Sequence, residues 1–398
     1  MVIREQYMDK LKNLKDKQLI KVVTGVRRSG KSTLLKQFRD YLIDSGVDSD
    51  RIIWLNFEDV DNEDLLDYKK LHTYVKDRLK EGEMTYVFLD EIQAVPQFQK
   101  AVDSLFIKDN VDVYITGSNA YMLSGELATL LSGRYIEIKM LPLSYAEYYK
   151  LVGGDKRDAW NKYFVNGGFP YTASIEDEDI YTDYLTGIYS TVLLKDIVAR
   201  KKVNDVPLLE SVVKFVFSNI GNIVSSKKIA DSLTSYGRKT TSVTVENYIN
   251  ALMESFIVYK AGRYDIKGKQ YLKSLEKYYL VDIGLRKILL GEATSDTGHI
   301  LENIVYLELI RRGYRVSIGK IGDLEIDFIA ERNGEKSYYQ VALSVLDESV
   351  FRREITPLQK INDNYPKYII SMDEIPMGEN GINQVNVINF LLDDKKTG

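Results

Sequence analysis

One stretch of eight residues constrains this chain more than any other. Gly25-Val-Arg-Arg-Ser-Gly30-Lys31-Ser32 stands between an apolar run, Leu19-Ile-Lys-Val-Val-Thr24, and a segment with helical spacing, Thr33-Leu-Leu-Lys-Gln-Phe-Arg-Asp-Tyr-Leu42. Strand, G-x-x-x-x-G-K-S and helix, in that order, describe a loop that wraps phosphate groups, the P-loop. Each residue type has a physical reason. Glycines let the backbone turn so that consecutive N–H groups face an anion. The helix that follows sets partial positive charge beneath it. Lys31 is placed to reach β- and γ-phosphates, and Ser32 to ligate Mg2+. The expected cradle is Gly25, Val26, Arg27, Arg28, Ser29, Gly30, Lys31, Ser32 and Thr33. An α/β fold around a parallel sheet is expected from this motif.

Hydrolysis needs more than binding: an acid to hold the metal and a group to orient water. Tyr86-Val-Phe-Leu-Asp90-Glu91 supplies two acids where an apolar strand ends. In a parallel sheet that end is the edge where ligands sit. Asp90 is expected to hold Mg2+ and Glu91 to activate water. A third strand, Val111-Asp-Val-Tyr-Ile-Thr-Gly117, runs into Ser118 and Asn119. Asn119 is the first choice for a polar contact to the γ-phosphate or the water, and Ser118 the second. Leu131-Ser-Gly-Arg134 precedes another strand, and Arg134 is a candidate phosphate sensor, in cis or as a finger on a neighbouring subunit. Arg27 and Arg28 are expected near the nucleotide. The only Asn-Lys pair, Asn161-Lys162, continues Tyr-Phe rather than into the N-K-x-D that reads guanine, so ATP is the expected nucleotide.

With Leu-Asp90-Glu91-Ile-Gln, Ile-Thr-Gly-Ser118, Gly133-Arg134-Tyr, Leu141-Pro142-Leu143-Ser144 and Gly167-Gly168-Phe169-Pro170, the chain resembles the prokaryotic AAA-type ATPases. It is similar in particular to the group with a C-terminal domain of the DUF4143 type. The resemblance implies an ATPase whose sheet carries one strand between the P-loop strand and the acidic strand. It implies no substrate.

Composition narrows the rest. The 398 residues allow two to four domains and a large core. There is no cysteine, so disulfides, thiol catalysis and Cys-ligated zinc are excluded, and two histidines leave little for a His-rich metal site. No apolar run approaches the length of a membrane span. The opening MVIREQYMDK is charged at once, unlike a secretory signal. A soluble, cytoplasmic protein is expected. The net charge of −4 hides asymmetry: Asp40–Glu91 carries 15 acidic against 6 basic residues, and Gly221–Leu280 carries 10 basic against 5 acidic.

After the ATPase-like part the pattern is helical. Tyr145–Leu151, Asp158–Asn166 and Ile180–Arg200 read as helices, the last with Ile180, Tyr184, Leu185, Ile188, Val192 and Leu193 at helical spacing. Gly167-Gly-Phe-Pro170 breaks them. From Asp205 the order is helix (206–220), a short helix after Ser225-Ser226, a turn at 236–239, a third helix (240–255), then paired strands at 256–261 and 277–281. Three helices followed by a hairpin is winged-helix order. Thr241, Ser242, Thr244 and Asn247 are placed to face bases. Lys227, Lys228, Arg238, Lys239, Arg263, Lys267 and Lys269 are placed to face phosphates. Winged helices also bind proteins, so the partner is DNA or protein.

The last hundred residues resemble the restriction-endonuclease-like fold. His299–Arg312 reads as a helix, Leu324–Ala330 and Ser337–Leu343 as strands joined by an Asn333-Gly334 hairpin turn, followed by a helix near 352–362 and a strand near 368–372. Active members of that fold hold Mg2+ with a helix Glu, a strand Asp and the acid of E-x-K. Glu302 and Asp327 fit the first two positions. Gln340 and Ala342 occupy the E-x-K positions; glutamine is a poor Mg2+ ligand and alanine carries no charge. Nuclease chemistry is therefore not expected.

The expected organisation is a P-loop AAA-type ATPase domain (1–142), a helical lid or connector (143–204), a winged-helix-like domain (205–290) and a degenerate nuclease-like domain (291–398). The expected function is Mg2+-dependent ATP hydrolysis whose nucleotide state moves a C-terminal DNA- or protein-binding region. The alternatives are a slow nucleotide-dependent switch and, last, an ATP-dependent nuclease. An oligomer is compatible with an arginine finger; no membrane partner is expected.

Overall fold

The apolar run before the glycine-rich loop forms strand β1 (Ile20–Thr24), buried at every position. It lies in a five-stranded sheet with β2 (Ile52–Asn56), β3 (Thr85–Asp90), β4 (Val111–Gly117) and β5 (Tyr135–Lys139), in the order β2-β3-β4-β1-β5. Every pairing is parallel. The computed structural model describes residues 2–120, 131, 133–291 and 296–393; Ser132 of the Leu131–Arg134 stretch lies outside them. β4 stands between the P-loop strand and the acidic strand, as the family resemblance implied.

A sheet with both faces covered needs apolar residues on both. Here successive residues serve opposite faces. Val22, Leu89 and Ile115 pack against α3 (Tyr68–Lys76) and α4 (Phe98–Phe106). Val23, Phe88 and Tyr114 pack against α1 (Glu5–Leu14) and α2 (Lys31–Asp44). The Phe88 and Tyr114 rings stack at 4.8 Å. The run read as apolar also contains Lys21, which is fully buried and paired with buried Asp112 of β4. Because all five strands are parallel, Thr24, Asp90 and Gly117 end at one edge of the sheet.

The chain divides into two compact units: residues 1–142 with 254–256, and residues 143–253 with 257–398. The second holds a nine-stranded mixed sheet of β6 (Ile223–Val224), β7 (Val258–Asp265), β8 (Gln270–Leu280), β9 (Arg315–Ile321), β10 (Leu324–Arg332), β11 (Glu335–Val341), β12 (Lys367–Ser371), β13 (Gly378–Glu379) and β14 (Ile382–Asn386). The order is β13-β14-β12-β11-β10-β9-β7-β8-β6. β7 pairs with β9 in parallel, so the expected boundary at 290/291 falls between strands of one continuous sheet.

Helices Val206–Ser218, Ser226–Ser235 and Ser242–Glu254 precede the β7–β8 hairpin, and β6, between the first two helices, pairs with β8. The hairpin is longer than the pattern suggested. The expected basic loop shrinks to four residues, 266–269, because tyrosines and a leucine on both arms keep the ladder going to Asp265 and Gln270. Thr241 takes a different part from the one assigned to it: its Oγ1 accepts the Thr244 N–H at 3.2 Å and so caps the third helix. Ile180 also departs from expectation. It is 57% exposed, and Tyr181, Leu185, Ile188 and Tyr189 form the buried stripe. That helix continues as a π-helical segment, Val192–Ala199. The Asn333-Gly334 turn has positive φ at both residues, as a tight hairpin turn requires.

Gly167 is explained by a carboxylate, and Gly168 by the Leu143 carbonyl oxygen, 2.4 Å from where a Cβ would lie. Asp282, the N-cap of the Ile283–Leu290 helix, accepts the Gly168 N–H at 2.6 Å and the Gly284 N–H at 2.8 Å. A Cβ on Gly167, whose φ is +74°, would lie 2.0 Å from Asp282 Oδ1. Burial pushes the Asp282 carboxyl up to about 7, although its backbone N–H partners pull the other way. The folded state therefore holds a proton that an unfolded chain releases near pH 4. Stability then falls as pH rises from about 4 to 7. We expect the unfolding free energy of the second unit to fall by at most roughly 4 kcal/mol between pH 4 and 7, read as a falling denaturant midpoint. Asp282→Asn should flatten that slope; an unchanged slope would refute the assignment.

Candidate functional site

The P-loop follows β1 at the ligand edge. Gly25 takes φ +150°, and a Cβ there would sit 2.1 Å from the Met140 carbonyl oxygen, so no other residue fits. That close approach exists because Met140 N–H bonds to Thr24 O at 2.7 Å, extending the β1–β5 ladder past Lys139. Arg28 (φ +65°) and Gly30 (φ +100°) complete the turn into α2. Lys31 Nζ donates to the Gly25 and Val26 carbonyls at 3.1 and 3.2 Å. The loop thereby fixes the ammonium at its own centre. Burial lowers the Lys31 pKa; the Glu91 and Asp90 charges oppose that.

The two acids sit across from it. Asp90 ends β3 and Glu91 follows in the left-handed region at φ +54°. The turn sends the two carboxylates in different directions, and a non-glycine residue held there stores strain. Glu91 Oε1 is 3.5 Å from Lys31 Nζ. Its Oε2 accepts from the Gln93 amide, which also reaches Ser118 Oγ at 3.4 Å. Burial alone would raise the Glu91 carboxyl, but Lys31, Gln93, Arg27 and Ser118 together hold it below its ordinary value. Asp90 is shifted the other way: burial raises it, and the Thr116 and Ser32 hydroxyls offset only part of this.

Thr116 of β4 joins the acids. Its Oγ1 accepts the Glu91 N–H at 2.8 Å and donates to Asp90 Oδ1 at 2.5 Å. In the sequence Thr116 stands out only as part of Ile-Thr-Gly-Ser118; its role depends on β4 lying beside β3, which sets Thr116 against Asp90. Asp90 Oδ2 is buried without a hydrogen-bond partner. A buried carboxylate oxygen left unsatisfied is costly. Together with the Ser32 hydroxyl it offers hard oxygen ligands of the kind Mg2+ takes. These residues fit the ion. Thr116→Val should cut turnover about 10- to 100-fold, since hydrogen bonds to charged groups contribute roughly 1.5–3 kcal/mol. Steady-state kinetics of the variant beside a melting curve would show whether activity, not folding, is lost.

The structure also separates residues that were grouped together. Ser118 touches the Glu91–Gln93 pair; Asn119, the first choice, is buried just beyond β4. Arg27 pairs with Glu58 at 2.9 Å and adds positive charge near Glu91. Arg28 is exposed. Arg134 is not at the site. It precedes β5, its carbonyl accepts the N–H of Ile20 at the start of β1, and its guanidinium pairs with Asp103 of α4. Five strand residues at about 3.3 Å each separate that edge from the P-loop, so a cis contact with the same chain's phosphates is excluded. Arg4, which the sequence did not flag, is buried and donates to Ser29 O at 3.3 Å, Leu141 O at 2.8 Å and Pro142 O at 3.1 Å. It fastens the phosphate loop to the segment after β5.

Residues 17–149 match the family model of an AAA domain, and residues 157–296 match a domain of unknown function, DUF8612. The second match corrects the expected DUF4143 assignment: those residues follow the DUF8612 pattern. An uncharacterized protein of Haemophilus influenzae is 41% identical over 98% of this chain and 99% of its own length. An uncharacterized protein of Methanocaldococcus jannaschii is 28% identical over 95% of this chain and 85% of its own. Among solved structures, a Walker-type ATPase of Pyrococcus abyssi superposes with TM-score 0.51 at 14% identity, covering 73% of this chain and 96% of that one. That likeness concerns the fold.

Proposed function

The chain belongs to the same family as the Haemophilus influenzae protein, its N-terminal unit is an AAA-type nucleotide-binding ATPase domain, and from that premise we propose Mg2+-dependent hydrolysis of ATP coupled to its C-terminal unit. The observation that carries this reading is the Lys31–Asp90–Glu91–Thr116 arrangement. The P-loop amides and Lys31 bind and orient the phosphates, with Thr33 in the first turn of α2. Ser32 and Asp90 would hold Mg2+, which supplies charge neutralisation on the β- and γ-phosphate oxygens. Glu91 accepts a proton from the attacking water, and Thr116 fixes the backbone that aims it. Ser118 and Asn119 line the strand end where that water would stand.

A slow switch is the second reading. Both Glu91 oxygens already have partners, Lys31 and Gln93, which favours a low resting rate. A partner bound elsewhere would then set the rate. We infer that this partner is duplex DNA, read by a winged-helix arrangement of the three helices and the β7–β8 hairpin. Lys227, Lys228, Arg238, Lys239, Lys267 and Lys269 are exposed, and the last two flank the hairpin tip. Tyr236 is 83% exposed in the turn before the third helix. A protein partner is the competing reading. Among the described residues no helix is long and apolar enough to cross a membrane.

The test is phosphate release from ATP with Mg2+, with and without duplex DNA, for wild type and Lys267→Glu/Lys269→Glu. DNA stimulation that the double variant weakens, with its basal rate intact, supports the DNA-coupled ATPase. Turnover indifferent to DNA points to a protein partner. No turnover under any condition defeats the hydrolysis reading.

A further inference from the structure

Away from the phosphate loop, the densest group of buried charge lies in the second unit. Four ionisable side chains from three elements meet there: Lys277 of β8, Glu302 of the Thr297–Arg311 helix, and Glu325 and Asp327 of β10. Lys277 Nζ is 2.9 Å from Glu302 Oε1, 2.8 Å from Glu325 Oε1 and 3.6 Å from Asp327 Oδ1. Tyr279, two residues along β8, donates its hydroxyl to Glu302 Oε1 at 2.6 Å. Behind them Asp327 Oδ2 accepts the Val341 N–H at 2.9 Å, and Gln340 accepts the Asp327 N–H while donating to Glu354, both at 2.8 Å. Lys277 is 4% exposed and Glu302 6%.

Hard divalent cations are held by carboxylate oxygens converging from different elements. Here three carboxylates converge, and the point of convergence is an ammonium. A free lysine buried this deeply would lose its proton to escape desolvation. Lys277 does the opposite: burial lowers its pKa, but Glu302, Asp327 and Glu325 outweigh burial and hold it well above the ordinary value. Its ammonium lies within 3.6 Å of an oxygen of each of the three carboxylates. One positive charge thus already sits where the carboxylates converge. Among the described residues no cluster of His, Cys, Asp and Glu has the arrangement to hold one.

We propose that Lys277 is the built-in cation of this centre: its ammonium takes the seat a divalent metal would need, and the fold around Glu302 and Asp327 is a metal-free, non-cutting scaffold. The lysine arrives on the β7–β8 hairpin, so its charge also clamps that hairpin to the helix and to β10. This inference does not depend on ATP hydrolysis. Glutamine at 340 and alanine at 342 fit it, because they supply neither the further acid nor the second lysine that a cutting centre would use.

The test counts bound Mn2+ by electron paramagnetic resonance on the full chain without nucleotide, in an Asp90→Asn background that silences the other cation position. With Lys277 present, Glu302→Gln should leave Mn2+ binding unchanged. Lys277→Met should gain about one equivalent of Mn2+, Glu302→Gln should remove it again, and Mn2+ should raise the melting temperature of Lys277→Met alone. A Lys277→Met chain that folds only with Mn2+ gives the same answer. Mn2+ bound beside an intact Lys277 and lost on Glu302→Gln would overturn the proposal, since the metal then displaces the lysine. So would a Lys277→Met chain that folds and binds no Mn2+, or one that fails to fold with and without Mn2+.

Discussion

Glu91→Gln protein should bind ATP as tightly as wild type and release phosphate about 10²- to 10⁴-fold more slowly, the usual worth of a positioned general base. The substitution keeps shape and removes only the proton acceptor. The amide it introduces can still bond to Gln93 and Ser118, so the left-handed turn at φ +54° should survive. A loss confined to kcat, with nucleotide affinity unchanged, marks a group that acts in the reaction rather than in binding. Lys31→Met gives the contrast. It removes the ammonium fixed by the Gly25 and Val26 carbonyls, so nucleotide affinity itself should fall. If Glu91→Gln turned over at the wild-type rate, Asp90 and Glu91 would be only a charged strand end.

The second large effect concerns folding. Lys21 and Asp112 are both buried at the sheet edge opposite the P-loop, and their charges pair directly. Asp112 also accepts from the Asp16 N–H at 2.9 Å and the Tyr114 hydroxyl at 2.8 Å. Burial drives both partners toward neutrality, lowering Lys21 and raising Asp112, and the mutual attraction resists it. Removing one charge strands the other in a dry interior. Lys21→Met should therefore cost about 3–5 kcal/mol, a large share of the roughly 5–15 kcal/mol that holds a domain together. Asp112→Asn added to Lys21→Met should restore most of it, because the pair matters less than the orphaned charge. Urea midpoints of the two variants decide the matter; a double variant no better than the single would show that the ion pair itself carries the stability.

The glycine-rich loop between β1 and α2 was legible because its signal is a short local spacing. Gly30 turns the chain into α2 and the Lys31 ammonium bonds to the nearby Gly25 and Val26 carbonyls, so their spacing announces them, although Gly25 itself is demanded by the distant Met140 carbonyl. Asp90 and Glu91 were legible for the same reason, ending an apolar run. Turns and caps such as Asn333-Gly334 and Ser225 are equally local. Thr116 was not, because its value depends on β4 lying next to β3, and strand order is a long-range fact. Arg134 read as a sensor in cis or a finger on a neighbouring subunit, and parallel pairing of β5 with β1 carries it to the edge away from its own P-loop. Arg4 became visible only once the first helix had docked beside residues 141 and 142.

The same division runs through the second unit. Residue types alone put Gln340 and Ala342 where the expected nuclease-like pattern would need an acid and a lysine. They could not show that Lys277, from a hairpin 25 residues before Glu302, stands among the remaining carboxylates. They also could not join β7 to β9 and make one sheet of two expected domains. By itself, then, the sequence determined the glycine-rich loop, the acidic strand end and the turns, where neighbours along the chain do most of the bonding. The tertiary structure alone decided which charges meet, because buried ions choose partners by distance in space, and pairing strands far apart in sequence sets that distance.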